Sequence, residues 1–229
     1  MAFRVLIIGG TGQVGAAVLR ALAAEPSCTE IVMINRRAES ASAGPRARQV
    51  ILDTADSGFS AEVAKVAQDM AVDGDPVYGA SCVGVGKGSA QWSEEELKAL
   101  EIGIVGGFAR GCRSAGISRF SLLSAAGSSP GSWIRYARIM GLKEAAVQNA
   151  DFRRLAIFRP GIIAGNIHTP GYAAWLGRLV PGSFGTIDQD DIGRAFAAEF
   201  VNAAAPDGMV HFDNGAMRRM SRAMAQPPA

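Results

Sequence analysis

Apolar positions along the chain follow two rhythms that alternate. Short, mostly apolar runs occur at Val5 to Ile8, Ile31 to Ile34, Val50 to Leu52, Val77 to Val83, Phe120 to Ser124, Leu155 to Arg159 and Met209 to Phe212. Runs of this length without polar alternation read as strands buried on both faces. Between them, apolar residues recur three and four apart. Gln13 to Ala24 carries Val14, Val18, Leu19 and Leu22, and Phe59 to Met70 carries Val63, Val66, Ala67 and Met70. Ser93, with Glu96 three residues on, opens a longer helix through Leu97, Leu100, Ile104, Phe108 and Cys112 that Gly116 closes; the Ser-Glu spacing is that of a capping box. Further helices are expected over Trp133 to Val147 and Asp188 to Asn202. Strand, helix, strand in steady succession predicts an α/β protein with a doubly wound parallel sheet.

The segment 162–186 breaks this rhythm. It is rich in glycine, proline and aromatics, including His168, Tyr172, Trp175 and Phe184, and suits a small substrate-covering lid better than regular sheet. Gln226 to Ala229 reads as a loose tail. The 229 residues are 48% hydrophobic and 19% charged, a balance that fits one domain spanning 1–229.

Charge and cysteine usage narrow the partners. A net charge of +2 is too small for a strong nucleic-acid field, and no basic run is interleaved with aromatics. Cys28, Cys82 and Cys112 match no zinc or redox spacing, so no metal site is expected. No segment offers the roughly eighteen uninterrupted apolar residues of a membrane span, and the first apolar run is too short for a signal peptide. These features lead to an expectation of a cytoplasmic protein.

The chemistry gathers where strands end. Val5 to Ile8 runs into Gly9-Gly10-Thr11-Gly12-Gln13-Val14-Gly15. Glycines three apart let the turn tighten, a pyrophosphate approach bare backbone, and the next helix lie close to its strand. The amides of that helix then point at the phosphate. Gly9, Thr11, Gly12, Gln13, Val14 and Gly15 are therefore candidate cofactor contacts. After the second strand stand Asn35, Arg36 and Arg37, where an NAD-binding unit usually places an acid for the ribose hydroxyls. A guanidinium pair there suits a 2′-phosphate, so the expected cofactor is NADP(H). Asp53, ending the third strand, either meets the adenine amino group or caps a turn. Val83 and Gly84 end the fourth strand and open a glycine-rich stretch fit to pass near the cofactor. Ser124 ends the fifth.

Gly9-x-x-Gly12-x-x-Gly15, the strand ending at Ser124, Tyr136 on the next helix and Phe158-Arg159-Pro160-Gly161 together resemble the short-chain dehydrogenase/reductase superfamily. With Asn35-Arg36-Arg37 and Leu122-Leu123-Ser124, the chain looks most like its atypical branch, the Tat-interacting-protein-like NAD(P)-binding oxidoreductases. The resemblance covers Val5 to Phe212. It implies a Rossmann fold, NADP(H), and cofactor contacts extending to Pro160 and Gly161. It also implies carbonyl reduction in which Ser124 orients the substrate carbonyl and Tyr136 delivers a proton. The family pattern of tyrosine, three residues, lysine, glycine is altered here, because Met140 stands where the lysine belongs and Gly141 follows. Lys143 lies about 10 Å further along the helix axis than Tyr136. The expected function is thus an NADP(H)-binding oxidoreductase acting on a small carbonyl substrate with an altered tyrosine site. The alternative is a non-catalytic NADP(H) sensor that meets a protein partner.

Overall fold

The computed structural model describes residues 1–39, 44–71, 74–84, 91–164 and 184–225. In chain order these form β1 (Phe3–Ile8), α1 (Gln13–Ala24), β2 (Cys28–Asn35), β3 (Ala47–Ile51), α2 (Phe59–Met70) and β4 (Val77–Ser81). Next come α3 (Glu94–Lys98), one π-helical segment (Ala99–Ile104), α4 (Val105–Ser114), β5 (Arg119–Leu123), α5 (Arg135–Gln148) and β6 (Arg154–Phe158). The chain continues with β7 (Ile162–Ala164), β8 (Thr186–Asp188), α6 (Gln189–Val201), β9 (Gly208–Phe212) and α7 (Asn214–Ala225).

Seven strands form one sheet in the order β3-β2-β1-β4-β5-β6-β9, and every neighbouring pair is parallel. Alternate residues of β1 feed opposite cores. Phe3, Val5 and Ile7 join Val18 and Leu22 of α1 and Phe196 and Phe200 of α6. Leu6 and Ile8 join Phe59 and Val63 of α2 and Phe108 and Cys112 of α4. Because both faces are covered, β1 has no use for a polar residue on either, which is why it reads as an unbroken apolar run. This is the Rossmann-like α/β architecture that the residue pattern predicts.

The helix boundaries of α1 and α2 coincide with the sequence expectation. The helix after Ser93 does begin with a capping box, Ser93 Oγ accepting from Glu96 N at 3.1 Å and Glu96 Oε2 accepting from Ser93 N at 2.8 Å. It is then interrupted by the π-helical turn, which no periodicity announced. A Cβ at Gly111 would fall 2.5 Å from Ser60 O, so the α4–α2 crossing depends on that glycine. Three elements went unforeseen. The β7–β8 pair is only three residues per strand, below the length at which a period registers. The amphipathic α7 places Met217 in the core. Most of the expected lid, including His168, Tyr172 and Trp175, lies outside the described residues, as does the tail after Ala225. Phe184 is described and exposed, its ring 3.3 Å from where a Cβ at Gly127 would stand.

Registers bring the strand ends to one level. Ile8 pairs with Ile34 and with Ser81, and Ser81 with Leu122. Gly9, Asn35, Cys82 and Ser124 therefore rim the same carboxyl edge. The chain winds from β1 outward to β3 and returns on the other side at β4, so the β1–β4 boundary is the topological switch point where open α/β sheets bind ligands.

Candidate functional site

At that boundary lies a cleft. Ile8, Gly9, Thr11, Gly12, Ile34, Asn35, Arg36, Thr54, Cys82, Val83, Gly84, Leu100 and Ile104 line it. Seven of the cofactor positions expected from sequence, namely Gly9, Thr11, Gly12, Asn35, Arg36, Val83 and Gly84, thus share one wall.

The glycines of the loop do different work. Gly9 has φ +81°, a left-handed conformation, and a Cβ there would sit 2.5 Å from the backbone of Cys82 and Val83. At Gly15 a Cβ would meet Gly9 O at 2.0 Å, so this glycine lets α1 begin hard against its strand. Gly12 is different. It is the N-cap of α1 at φ −72°, makes no side-chain cap, and among the described residues its Cβ would touch only Gly9 O, at 3.5 Å. The fold leaves space above Gly12 that a side chain would fill. No side chain caps the first turn of α1, so the amides of Gln13, Val14 and Gly15 stand at the positive end of the helix dipole. A dinucleotide's pyrophosphate fits this cradle.

At the β2 end, Asn35 is buried and donates from Nδ2 to Gln49 Oε1 at 2.9 Å. Gln49 in turn holds the backbone of Glu39 at 2.7 and 3.0 Å. Asn35 therefore shapes the loop that carries Arg36 and Arg37, both exposed. Arg36 lines the cleft, while Arg37 stands outside its wall. Of the two roles open to Asp53, the structure displays the turn: its Oδ1 accepts from Ala55 N at 2.9 Å. The neighbouring Thr54 lines the cleft.

At the β5 end the expected chemistry is embedded in residues that the sequence reading passed over. Ser124 is buried and donates from Oγ to Glu144 Oε1 at 2.5 Å, with Ser128 Oγ at 3.0 Å. Glu144 is itself gripped by Arg159, whose Nε and Nη2 reach its two oxygens at 2.9 and 2.5 Å. The Arg-Pro-Gly turn after β6 is thereby tied to α5. Its backbone does more of the same: Pro160 O accepts from Ala126 N at 2.8 Å, and Gly161 N donates to Asn214 Oδ1 at 3.0 Å. Pro160 and Gly161 thus brace the β5 and α7 segments and are not among the residues lining the cleft. His211 on β9 has its pKa lowered by burial first and by the Arg159 charge next, against an opposing pull from Glu144.

Tyr136 packs against the cluster of Leu97, Ile139 and Met140, as do Trp92 and Ala125, the residue after Ser124. The loop between Ser124 and Tyr136 is pressed onto α5, since a Cβ at Gly141 would fall 2.2 Å from the Ser129 backbone; that is why a glycine follows position 140. Met140 is 1% exposed and contributes only apolar surface. Burial, and secondly the carboxylate of Glu101, push the Tyr136 phenol well above the usual tyrosine range. Lys143 points back along α5, as helical side chains do. Its Nζ donates to Val83 O at 2.9 Å and to Glu101 Oε2 at 2.8 Å. Sequence periodicity placed Leu100 and Ile104 on an apolar face but could not assign Glu101, because the π-helical turn shifts which side of the helix faces the sheet.

Sheet order, glycine cradle and switch-point cleft define a Rossmann-type NAD(P)-binding protein of the oxidoreductase kind. Residues 5–128 match the NAD dependent epimerase/dehydratase family, and the chain belongs to that family. Among its relatives, the mitochondrial protein fmp52 of Emericella nidulans is 31% identical over 185 residues, 80% of this chain and 76% of the relative. The mitochondrial fmp52 of Aspergillus fumigatus is 34% identical over 161 residues, 70% of this chain and 67% of the relative. These names overturn the expectation of a cytoplasmic protein. The expectation rested on apolar length, whereas organelle targeting is read from basic amphipathic segments. Among solved structures, the oxidoreductase ylbE from Lactococcus lactis superposes with a TM-score of 0.68 at 17% identity, covering 97% of each chain. The Bordetella bronchiseptica enzyme WbmH in complex with NAD+ gives 0.69 at 17% identity, covering 100% of this chain and 84% of the other. At such identities the likeness concerns the fold.

Proposed function

We propose that this protein is an NADP(H)-dependent reductase of a small carbonyl compound. The observation that carries the reading is the cleft wall itself: an uncapped glycine cradle for a pyrophosphate, continued by Arg36 where an NAD-preferring protein usually has an acid. A guanidinium there pairs with a 2′-phosphate bidentately. A reduced nicotinamide held in this cleft would supply hydride to the substrate carbon. Tyr136 is the proton donor to the oxygen. The phenol is protonated, as a donor must be, but burial and the Glu101 carboxylate raise its pKa and so make it a weaker acid than a free tyrosine. Ser124 Oγ faces the same oxygen while Glu144 and Arg159 hold it in place. Without a lysine at position 140 the proton transfer is slow, by about a hundredfold to ten-thousandfold against a complete tyrosine site.

The test measures NADPH and NADH binding by calorimetry, and NADPH oxidation against a panel of aldehydes and ketones. Tighter NADPH binding with turnover abolished in Tyr136→Phe supports the reductase. A second reading, a dinucleotide sensor that meets a protein partner, draws support from Met140 and from the engagement of the Ser124 proton by Glu144. Tight NADPH binding without turnover of any carbonyl selects it.

A further inference from the structure

Between the π-helical turn and α5 lies a buried acid-base pair that the reaction described above does not use. Glu101 is 0% exposed and Lys143 1%. Lys143 Nζ contacts Glu101 Oε2 and the carbonyl of Val83, a cleft residue. The other carboxylate oxygen, Glu101 Oε1, is fully buried and has no hydrogen-bond partner among the described residues. A Cβ built on Gly84, another cleft residue, would stand 3.9 Å from that oxygen. Leu100 and Ile104, on either side of Glu101 in the π-helical turn, also line the cleft. Turns of π-helix are concentrated at functional sites, since they re-aim side chains at a thermodynamic cost.

An orphaned buried carboxylate oxygen is costly, and this one lies behind Gly84 in the cleft wall. Its place along the cleft identifies what it meets. Arg36 and Asn35 mark the adenosine end at β2, the glycine cradle at β1 marks the pyrophosphate, and Tyr136 marks the reacting end. Glu101 lies behind Gly84, and its charge is felt at the Tyr136 phenol, which puts it toward the sugar that carries the nicotinamide. A carboxylate there accepts from vicinal hydroxyls. We propose that Glu101 Oε1 binds the hydroxyls of the nicotinamide-side ribose, with Lys143 supplying the counter-charge and fixing the Val83 carbonyl beneath it. The contact normally expected of a lysine at position 140 is then made by an acceptor arriving from the opposite helix. Glu101 is a binding residue and Lys143 a positioning residue. The inference rests on dinucleotide binding in this cleft.

The experiment is calorimetry with the full chain, using whichever of NADP+ and NAD+ binds the wild type more tightly and the matching half-molecule, 2′,5′-ADP or ADP, which lacks the nicotinamide ribose. Glu101→Gln is expected to weaken the dinucleotide by about ten- to a hundredfold, the range for a hydrogen bond to a charged group, and to leave the half-molecule unchanged. Should Glu101→Gln not fold, the apolar pair Glu101→Leu with Lys143→Met removes both charges together and is expected to give the same selective loss. A measurement on the wild type alone completes the set: a dinucleotide lacking the nicotinamide-ribose hydroxyls is expected to bind more weakly by a similar factor. Unchanged affinity for the dinucleotide in the variants, equal losses for dinucleotide and half-molecule, or indifference of the wild type to the missing hydroxyls each overturns the proposal. Wild type that binds neither dinucleotide nor half-molecule overturns the cofactor reading beneath it.

Discussion

Gly12→Val separates cofactor contact from folding. Gly12 sits at φ −72° and ψ 164°, extended backbone open to any L residue. Among the described residues its Cβ would approach only Gly9 O, at the ordinary contact distance of 3.5 Å. Replacing an N-cap glycine with valine costs about 1 kcal/mol, which for a chain of 229 residues lowers Tm by about 2–4 °C. Gly15→Val supplies the contrast. There the Cβ would stand 2.0 Å from Gly9 O and 2.8 Å from Gly10 Cα, an overlap with backbone that only separation of α1 from β1 relieves. Overpacking of this kind costs about 3 kcal/mol or more, roughly 6–12 °C in Tm. Binding divides the other way. A branched side chain at position 12 fills the place of a pyrophosphate and denies it the amides at the start of α1. Two hydrogen bonds to a charged group are worth about 3–6 kcal/mol, at least about a hundredfold in Kd. Thermal unfolding followed by circular dichroism, and calorimetric titration of NADPH, measure the two effects independently. A Gly12→Val protein that binds NADPH within threefold of wild type, or that melts as early as Gly15→Val, refutes this assignment of roles.

Four further outcomes are expected. Arg36→Ala weakens NADPH by about 1.5–3 kcal/mol and hardly alters NADH; equal losses in calorimetry would mean general damage to the loop held by Asn35 and Gln49. Glu144→Gln removes the charged acceptor of Ser124 and Arg159, and because Arg159 is 31% exposed the pair is partly screened. The expected loss is about 2–3 kcal/mol, seen as a Tm lower by about 5–10 °C. Tyr136, with its folded pKa raised, contributes stability that is present below the unfolded tyrosine value of about 10 and is lost as pH rises through the folded value. Tyr136→Phe is therefore expected to flatten the fall in Tm at alkaline pH, and spectrophotometric titration to show the same phenolate absorbance below pH 10 with or without Tyr136. Burial pushes the thiols of Cys28 and Cys82 up to about 12 and that of Cys112 well above its ordinary value, so Ellman's reagent at about pH 8 is expected to find no reactive thiol until the protein unfolds.

How much of this was legible beforehand depends on the range of the interaction. The helices α1 and α2, the succession of strands and helices along the chain and the glycine cradle follow from local periodicity and from turns that bare backbone alone can make. Gly9 and Gly15 belong there because strand, turn and helix are adjacent in sequence. Ser124 and Tyr136 could also be placed, one at a strand end and one on the following helix. What surrounds them could not. Glu144 and Arg159 stand 15 residues apart on elements joined only when β5 and β6 pair. Glu101 and Lys143 stand 42 residues apart and meet where the π-helical turn packs against α5. Asp53, open to two roles in sequence, is seen bound to the amide two residues on, and Pro160 and Gly161 have their backbone bonds to Ala126 and Asn214. Local chemistry therefore determined the sheet and the cradle. The environment of the reacting groups, in which Glu144 and Arg159 hold Ser124 and burial with the Glu101 carboxylate raises the Tyr136 pKa, was decided by tertiary contact, because desolvation and charge pairing depend on neighbours that the chain brings together only once it is folded.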